Sequence, residues 1–131
     1  MSALPPDQMH AMRTAAQRAL HPVASLAERW EVLHRQVAEL AALAQLAPEA
    51  PRADTGTFTS MLTEAQDWQR ELAWQAIADI DAMMQPGLTA LKVITARGRD
   101  ASAPALALWR EFHAAREAVL RVIKVAQTEA A

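Results

Sequence analysis

From residue 23 to residue 47, apolar side chains fall at Val23, Leu26, Trp30, Leu33, Val37, Leu40, Ala44 and Ala47, three and four residues apart without a miss. A 3.5-residue period sustained over more than three heptads suits an amphipathic helix that buries one narrow stripe against other helices. A strand cannot present this spacing on one face, because its side chains alternate with period two. Glu31 and Arg35 sit off the stripe at i,i+4, in the order that supports a helix. The rest of the composition agrees. Of 131 residues 52% are apolar, yet 31 of those are alanine, which leaves 37 larger apolar side chains and a mean hydropathy of only -0.04. With three glycines, no tyrosine and few β-branched residues, the chain reads as all-α. The expected architecture is a single helical domain over 1–131, a bundle of four to five amphipathic helices with coiled-coil-like packing.

Proline and glycine punctuate that bundle. Pro5-Pro6-Asp7 opens a first helix over 7–20, and His21-Pro22 breaks or kinks the chain before the heptad block. Residues 48–57, with two prolines and Gly56, form the clear loop. Thr57 or Thr59 then caps a long third helix, with Phe58, Leu62, Ala65, Leu72, Ala76 and Ile80 on one face and Gln69 interrupting the stripe. Trp68 and Trp74 are about 600° of helical rotation apart, so both cannot lie centrally on one narrow face, and one of them is expected to be partly exposed. Gln85-Pro86-Gly87 reads as a kink or a short interruption, with 88–97 helical beyond it. Gly98 suits the left-handed position that ends that segment. Ser102 caps the last helix, with Pro104 in its first turn and Ala105, Leu108, Trp109, Phe112, Ala115, Val119, Ile123 and Ala126 along its apolar side. The shared periodicity predicts that Leu26, Trp30, Leu33, Val37 and Leu40 pack against Leu72, Ile80, Phe112, Val119 and Ile123.

Several function classes drop out. Thirteen basic against fifteen acidic residues, a net charge of -2 and scattered arginines give no electrostatic footprint for nucleic acid. Without cysteine there is no disulfide, thiolate chemistry or Cys-ligated zinc, which fits a cytoplasmic protein. No apolar run is long enough to span a bilayer, and the first twenty residues lack a signal-peptide core, so a soluble chain is expected.

Metal and catalytic motifs are equally thin. Glu31-Val-Leu-His34 is half of a di-metal helical site, but the residues three before His10, His21 and His113 are Asp7, Arg18 and Arg110, so no second half exists. Arg29-x4-His34 has the spacing of the catalytic pair in HEPN-type ribonucleases; with eleven arginines and four histidines one such spacing arises by accident. No G-x-S-x-G and no phosphate loop is present. The expectation is no enzyme, no metal and no cofactor.

A resemblance enters near the C-terminus. Leu91-Lys-Val-Ile-Thr-Ala-Arg97-Gly-Arg99-Asp100, followed by Ala105-Leu-Ala-Leu108-Trp-Arg-Glu111-Phe112, resembles the phasin family, whose members coat intracellular polyhydroxyalkanoate granules. Asp67-Trp-Gln-Arg-Glu-Leu72 looks like the start of that family's preceding helix, so the resemblance covers about residues 58–126. Trp109 stands where the family often has Gln, and Gln85-Pro86-Gly87 interrupts a helix that is usually continuous there.

The resemblance implies a granule coat: an apolar face toward polyester, a charged face toward cytoplasm, and cytoplasmic or granule-associated residence. Wide amphipathic helices can do this much as surface helices do on membranes. The face expected to meet the polymer runs through Trp74, Ile77, Ile80, Met84, Leu88 and Leu91, supported by the last helix. The same features build an ordinary core, so a second class stays open: an adaptor, secretion chaperone or oligomerisation module that binds a partner helix. A broad exposed arc on the third helix favours the coat; a closed bundle with a concave groove favours the adaptor. A homo-oligomer is expected in either case, because 37 large apolar residues exceed what a narrow seam hides.

Overall fold

A computed structural model describes the backbone of residues 22–130 and the side chains of 22–124. The helix expected over 7–20 and the side chain of Ala126 lie outside them. The described residues form four helices and no strand: α1 (Val23–Leu43), α2 (Thr55–Glu64), α3 (Asp67–Ala96) and α4 (Ser102–Ala130). None is long and apolar enough to cross a membrane. The all-α bundle is therefore the fold.

The heptad stripe of α1 is the core seam. Leu26, Trp30, Leu33, Val37, Leu40 and Ala44 are all buried, while Val23 is half-buried and Ala47 exposed. The helix stops short of 47 because Gln45 adopts a left-handed φ of 63°. Its N–H bonds the Ala42 carbonyl at 3.1 Å, and the Leu46 N–H reaches back to Ala41 at 2.7 Å. This pair of bonds satisfies the last carbonyls of α1 in a Schellman motif. The same motif ends α3 at Gly98, φ 75°, where Gly98 N–H bonds Thr95 and Arg99 N–H bonds Ile94. At that second site the glycine signalled the stop; at the first, the sequence offers only Pro48, three residues further on.

The long third helix is two helices. Ala65 and Gln66 take extended backbone angles, and Arg70 fastens the end of α2 by donating to the carbonyls of Leu62 (2.9 Å), Thr63 (3.3 Å) and Ala65 (3.1 Å). The break shifts the phase of the stripe. Leu72, expected in the core, is 45% exposed, and Ala73 is buried in its place. Gln69 is fully buried with both ends of its amide used: its carbonyl accepts the Gln66 N–H (2.8 Å) and its NH2 donates to Val122 of α4 (2.8 Å).

Across residues 85–87 the helix is uninterrupted, so of the expected kink or short interruption the interruption is absent. Ala82 and Pro86 are exposed, which leaves the carbonyl that Pro86 cannot serve on the solvent side. Gly87 admits close packing there: a Cβ would sit 2.6 Å from the Leu108 side chain of α4. At the start of α4, Asp100 rather than Ser102 does the capping, its carboxylate accepting from both the N–H and the hydroxyl of Ser102 at 3.0 Å. Those two bonds hold its pKa below the ordinary value.

Cross-contacts fix the directions. Arg29 meets Trp74 and Glu39 meets Lys92, so α1 and α3 run side by side in the same sense. Gly87 against Leu108, and Gln69 against Val122, make α4 antiparallel to α3. The short α2 lies against α1 and α4, with Phe58 stacked on Trp30 at 4.2 Å.

Candidate functional site

Five residues of α-helix turn about 500°, so side chains at i and i+5 point about 140° apart. Arg29 and His34 therefore look to opposite flanks of α1. The Arg29 guanidinium lies 4.2 Å from the Trp74 ring of α3, whereas His34 bonds to Arg116 of α4. The Arg29-x4-His34 pair therefore does not converge on one point within the chain.

On the α3 flank the two parallel helices leave a groove of about 410 Å³. Its floor is Leu33 and Ile77, both buried, and its walls include Val32, Arg29 and the half-buried Trp74. Glu28 and Asp81 stand on the rim, and the positive charge of Arg29 is laid over the Trp74 ring. Such a cleft can receive an elongated apolar group with a cationic edge.

The residues expected to face a polymer are mostly not at a surface. Ile77, Ile80, Met84, Leu88 and Leu91 are all core residues, and only Trp74 reaches the groove wall. Their burial has a simple cause. A helical stripe goes to whichever apolar partner is nearest, and here α1 and α4 of the same chain supply it. The rim residues Glu28, Val32 and Asp81 belong to no motif in the sequence, and Arg29 stands there beside them rather than with His34. The available signal was Val32, an apolar residue one step off the heptad stripe and 39% exposed.

On the α4 flank the polar groups interlock around the buried His34 and Trp30. The Nδ1 of His34 lies 2.7 Å from the Trp30 carbonyl, and its Nε2 is 2.9 Å from the Nε of Arg116. A carbonyl can only accept, so Nδ1 carries the hydrogen and Nε2 offers its lone pair to the guanidinium N–H. Burial, with a smaller contribution from the Arg116 charge, lowers the His34 pKa against the opposing pull of the Trp30 carbonyl. Arg116 also donates to the Arg52 carbonyl (3.2 Å) and to Glu117 (3.1 Å), while the Trp30 indole N–H donates to the Ala53 carbonyl (2.8 Å). Glu31 of the E-x-x-H accepts from the Thr55 hydroxyl at 2.9 Å, so Glu31 and His34 serve separate bonds. Among the described residues no group of three His, Cys, Asp or Glu is placed to hold a metal ion.

Four large apolar side chains are exposed among the described residues: Val32, Trp68, Leu72 and Val93. Trp68, at 52%, is the partly exposed member of the tryptophan pair, and its indole N–H donates to the Gln66 side chain at 2.8 Å. Trp68 and Leu72 sit one turn apart on α3. In comparisons with known proteins, no family model, no curated protein and no solved structure matches the chain.

Proposed function

We propose that the chain is a non-enzymatic interaction module that takes a basic, apolar helix from a partner protein into the groove between α1 and α3. One observation carries the reading: a closed bundle presents a concave apolar floor, Leu33 and Ile77, beneath two carboxylates, Glu28 and Asp81. A helix lays an apolar stripe into such a groove and sets its flanking lysines against the rim. The charge of Arg29 is turned onto Trp74, so the carboxylates dominate the rim. The test is a titration with a designed amphipathic Leu/Lys helical peptide, followed by tryptophan fluorescence and calorimetry. Saturable binding is expected, abolished by Val32→Glu and weakened by Asp81→Lys with circular dichroism unchanged. Equal binding of the Leu/Glu version of the peptide would overturn the charge argument, and absence of binding to either peptide would overturn the groove reading.

A second reading keeps the granule coat, supported by the exposed Trp68–Leu72 pair on α3 and the phasin-like stretch from Leu91 to Phe112. In this reading the pair makes first contact with polyester, and the bundle opens to lay Ile77, Ile80, Met84, Leu88 and Leu91 on it. Granule association in the cytoplasm belongs to this reading alone. Co-sedimentation with polyester particles separates the two: retention that persists at high salt supports the coat, and a chain that stays in the supernatant ends it. A homo-oligomer rests on the same exposed pair, and light scattering at micromolar concentration decides it.

A further inference from the structure

The connection between α1 and α2, residues 44–54, crosses the bundle as a strap whose far end is pinned at three points. The Arg52 carbonyl is held by Arg116, the Ala53 carbonyl by the Trp30 indole, and Thr55 by Glu31. Beneath the strap lies the Trp30–Phe58 stack, with both rings buried. Ala53 belongs to the walls of two cavities at once. One, about 170 Å³, opens toward Phe58, Met61 and Arg116; the other, about 590 Å³, toward Glu31, His34 and Arg35. The strap is the partition between them.

We propose that His34 is the pin of an acid-released clasp, which holds this strap over the Trp30–Phe58 stack while the imidazole is neutral and frees it when the imidazole takes a proton. Arg116 reaches the Arg52 carbonyl with one nitrogen because another, Nε, donates to the lone pair on His34 Nε2. A proton arriving at His34 has only that lone pair to occupy, since Nδ1 already donates to Trp30. Two N–H groups then face each other, and two cations share a part-buried site; the guanidinium must turn away. The Arg52 carbonyl loses its donor with it.

The charged and titratable groups facing the ring are Glu31 and Arg35 from its own helix, Arg52 from the strap, and Arg116 with Glu117 from α4. Glu31 is engaged by Thr55, and Glu117 neutralises the far side of Arg116. Asp54 and Lys124 share the smaller cavity with Arg116 and offer the departing guanidinium one attractive and one repulsive neighbour. Phe112 and Trp30 supply the remaining walls, with ring centroids 5.9 Å and 4.5 Å from the imidazole. Burial keeps the pKa below the ordinary value, which sets the release on the acid side of neutrality. Once the strap lifts, the two cavities join and an aromatic surface is uncovered.

The Trp30 indole N–H reports the state of the strap directly. In full-length protein, its solvent exchange is followed by NMR from pH 7.5 to pH 5, relative to free indole at each pH, beside the His34 ring carbon–proton signal. The expected result is at least a tenfold loss of indole protection whose midpoint matches the His34 titration, while core amides of α3 keep theirs. His34→Gln retains an acceptor for Arg116 without titrating, so its indole protection should stay flat across the range. Arg116→Gln should give low protection already at pH 7.5, with the helical circular dichroism retained. The clasp is refuted if the indole stays protected through the His34 titration, or if His34→Gln loses protection over the same range. Parallel loss in the α3 amides would refute it too, since acid would then be loosening the whole bundle.

Discussion

The two flanks of α1 share one helix and one heptad, yet they hold their neighbours by different physics. Toward α3 the contacts outside the apolar floor are wet: a guanidinium over an indole, and the Glu39–Lys92 pair at 2.8 Å with both side chains about half exposed. Toward α4 an imidazole, a guanidinium, an indole and two strap carbonyls are bonded in series, and most of them are shielded from water. Water screens and replaces the first set one contact at a time. In the second set Arg116 joins His34 to the Arg52 carbonyl, so losing it leaves both the His34 lone pair and that carbonyl without their donor. The open flank can therefore lose contacts singly, whereas the closed flank changes as a linked set.

The largest effect should come from the closed flank. Trp30→Ala removes the ring stacked on Phe58 and the donor to Ala53, and should cost about 3–5 kcal/mol in chemical denaturation. Leu33→Ala, in the floor shared with the groove, should cost about 2–5 kcal/mol if the seam is core as its burial indicates. A loss well under that range would mean that the open flank relaxes around the gap. Arg116→Ala leaves the His34 lone pair and the Arg52 carbonyl without donors and should cost about 1–3 kcal/mol, more than any single charge on the groove rim.

Acid should separate the flanks as well. Neutral His34 is favoured in the folded chain, so the unfolded chain takes up the proton first as pH falls. The stability from this group is complete above about pH 6.5 and is lost as pH drops toward the lowered folded value. Denaturation midpoints across pH 5–8 should show that decline in the native chain and a flatter profile in His34→Gln. Equal slopes would place the titrating group elsewhere. The smallest effects belong to the wet flank: Arg29→Ala should cost about 0.5–1 kcal/mol through the cation–π contact. Glu39→Gln should fall within about 0.5 kcal/mol of no change, and a larger value would mean that the groove flank is drier than its exposure implies.

Much of this architecture was legible from residue types. The heptad named five buried residues of α1, from Leu26 to Leu40, and its C-cap Ala44, because a repeated apolar spacing has one solution on a helix. Gly98 marked a helix end because a left-handed φ there is easiest for glycine. Gln45 takes the same conformation against its preference, held by two backbone bonds, and so left no trace in the sequence. Exchanging the two tests this: Gln45→Gly should stabilise by about 1 kcal/mol, whereas Gly98→Ala should destabilise by a similar amount.

The break at Ala65–Gln66 was illegible for a related reason. There Arg70 reaches back to three carbonyls and Gln66 and Gln69 cap each other, a combination of contacts that residue preference alone does not announce. The candidate site suffered most from this. Ile77, Ile80, Met84, Leu88 and Leu91 were correctly seen as one apolar face, but a face carries no label saying what will cover it.

By itself the sequence determined that this chain is helical, where its main seam runs, and that the seam must be buried. Periodicity and backbone preference are local properties, readable along the chain. Only the tertiary structure decided which helix covers which stripe, that Pro86 is tolerated beside Gly87, and that His34 meets Arg116 across 82 positions. Those outcomes depend on distances between segments remote in sequence, and they are settled by which pairing leaves the fewest apolar surfaces wet and the fewest buried polar groups unbonded.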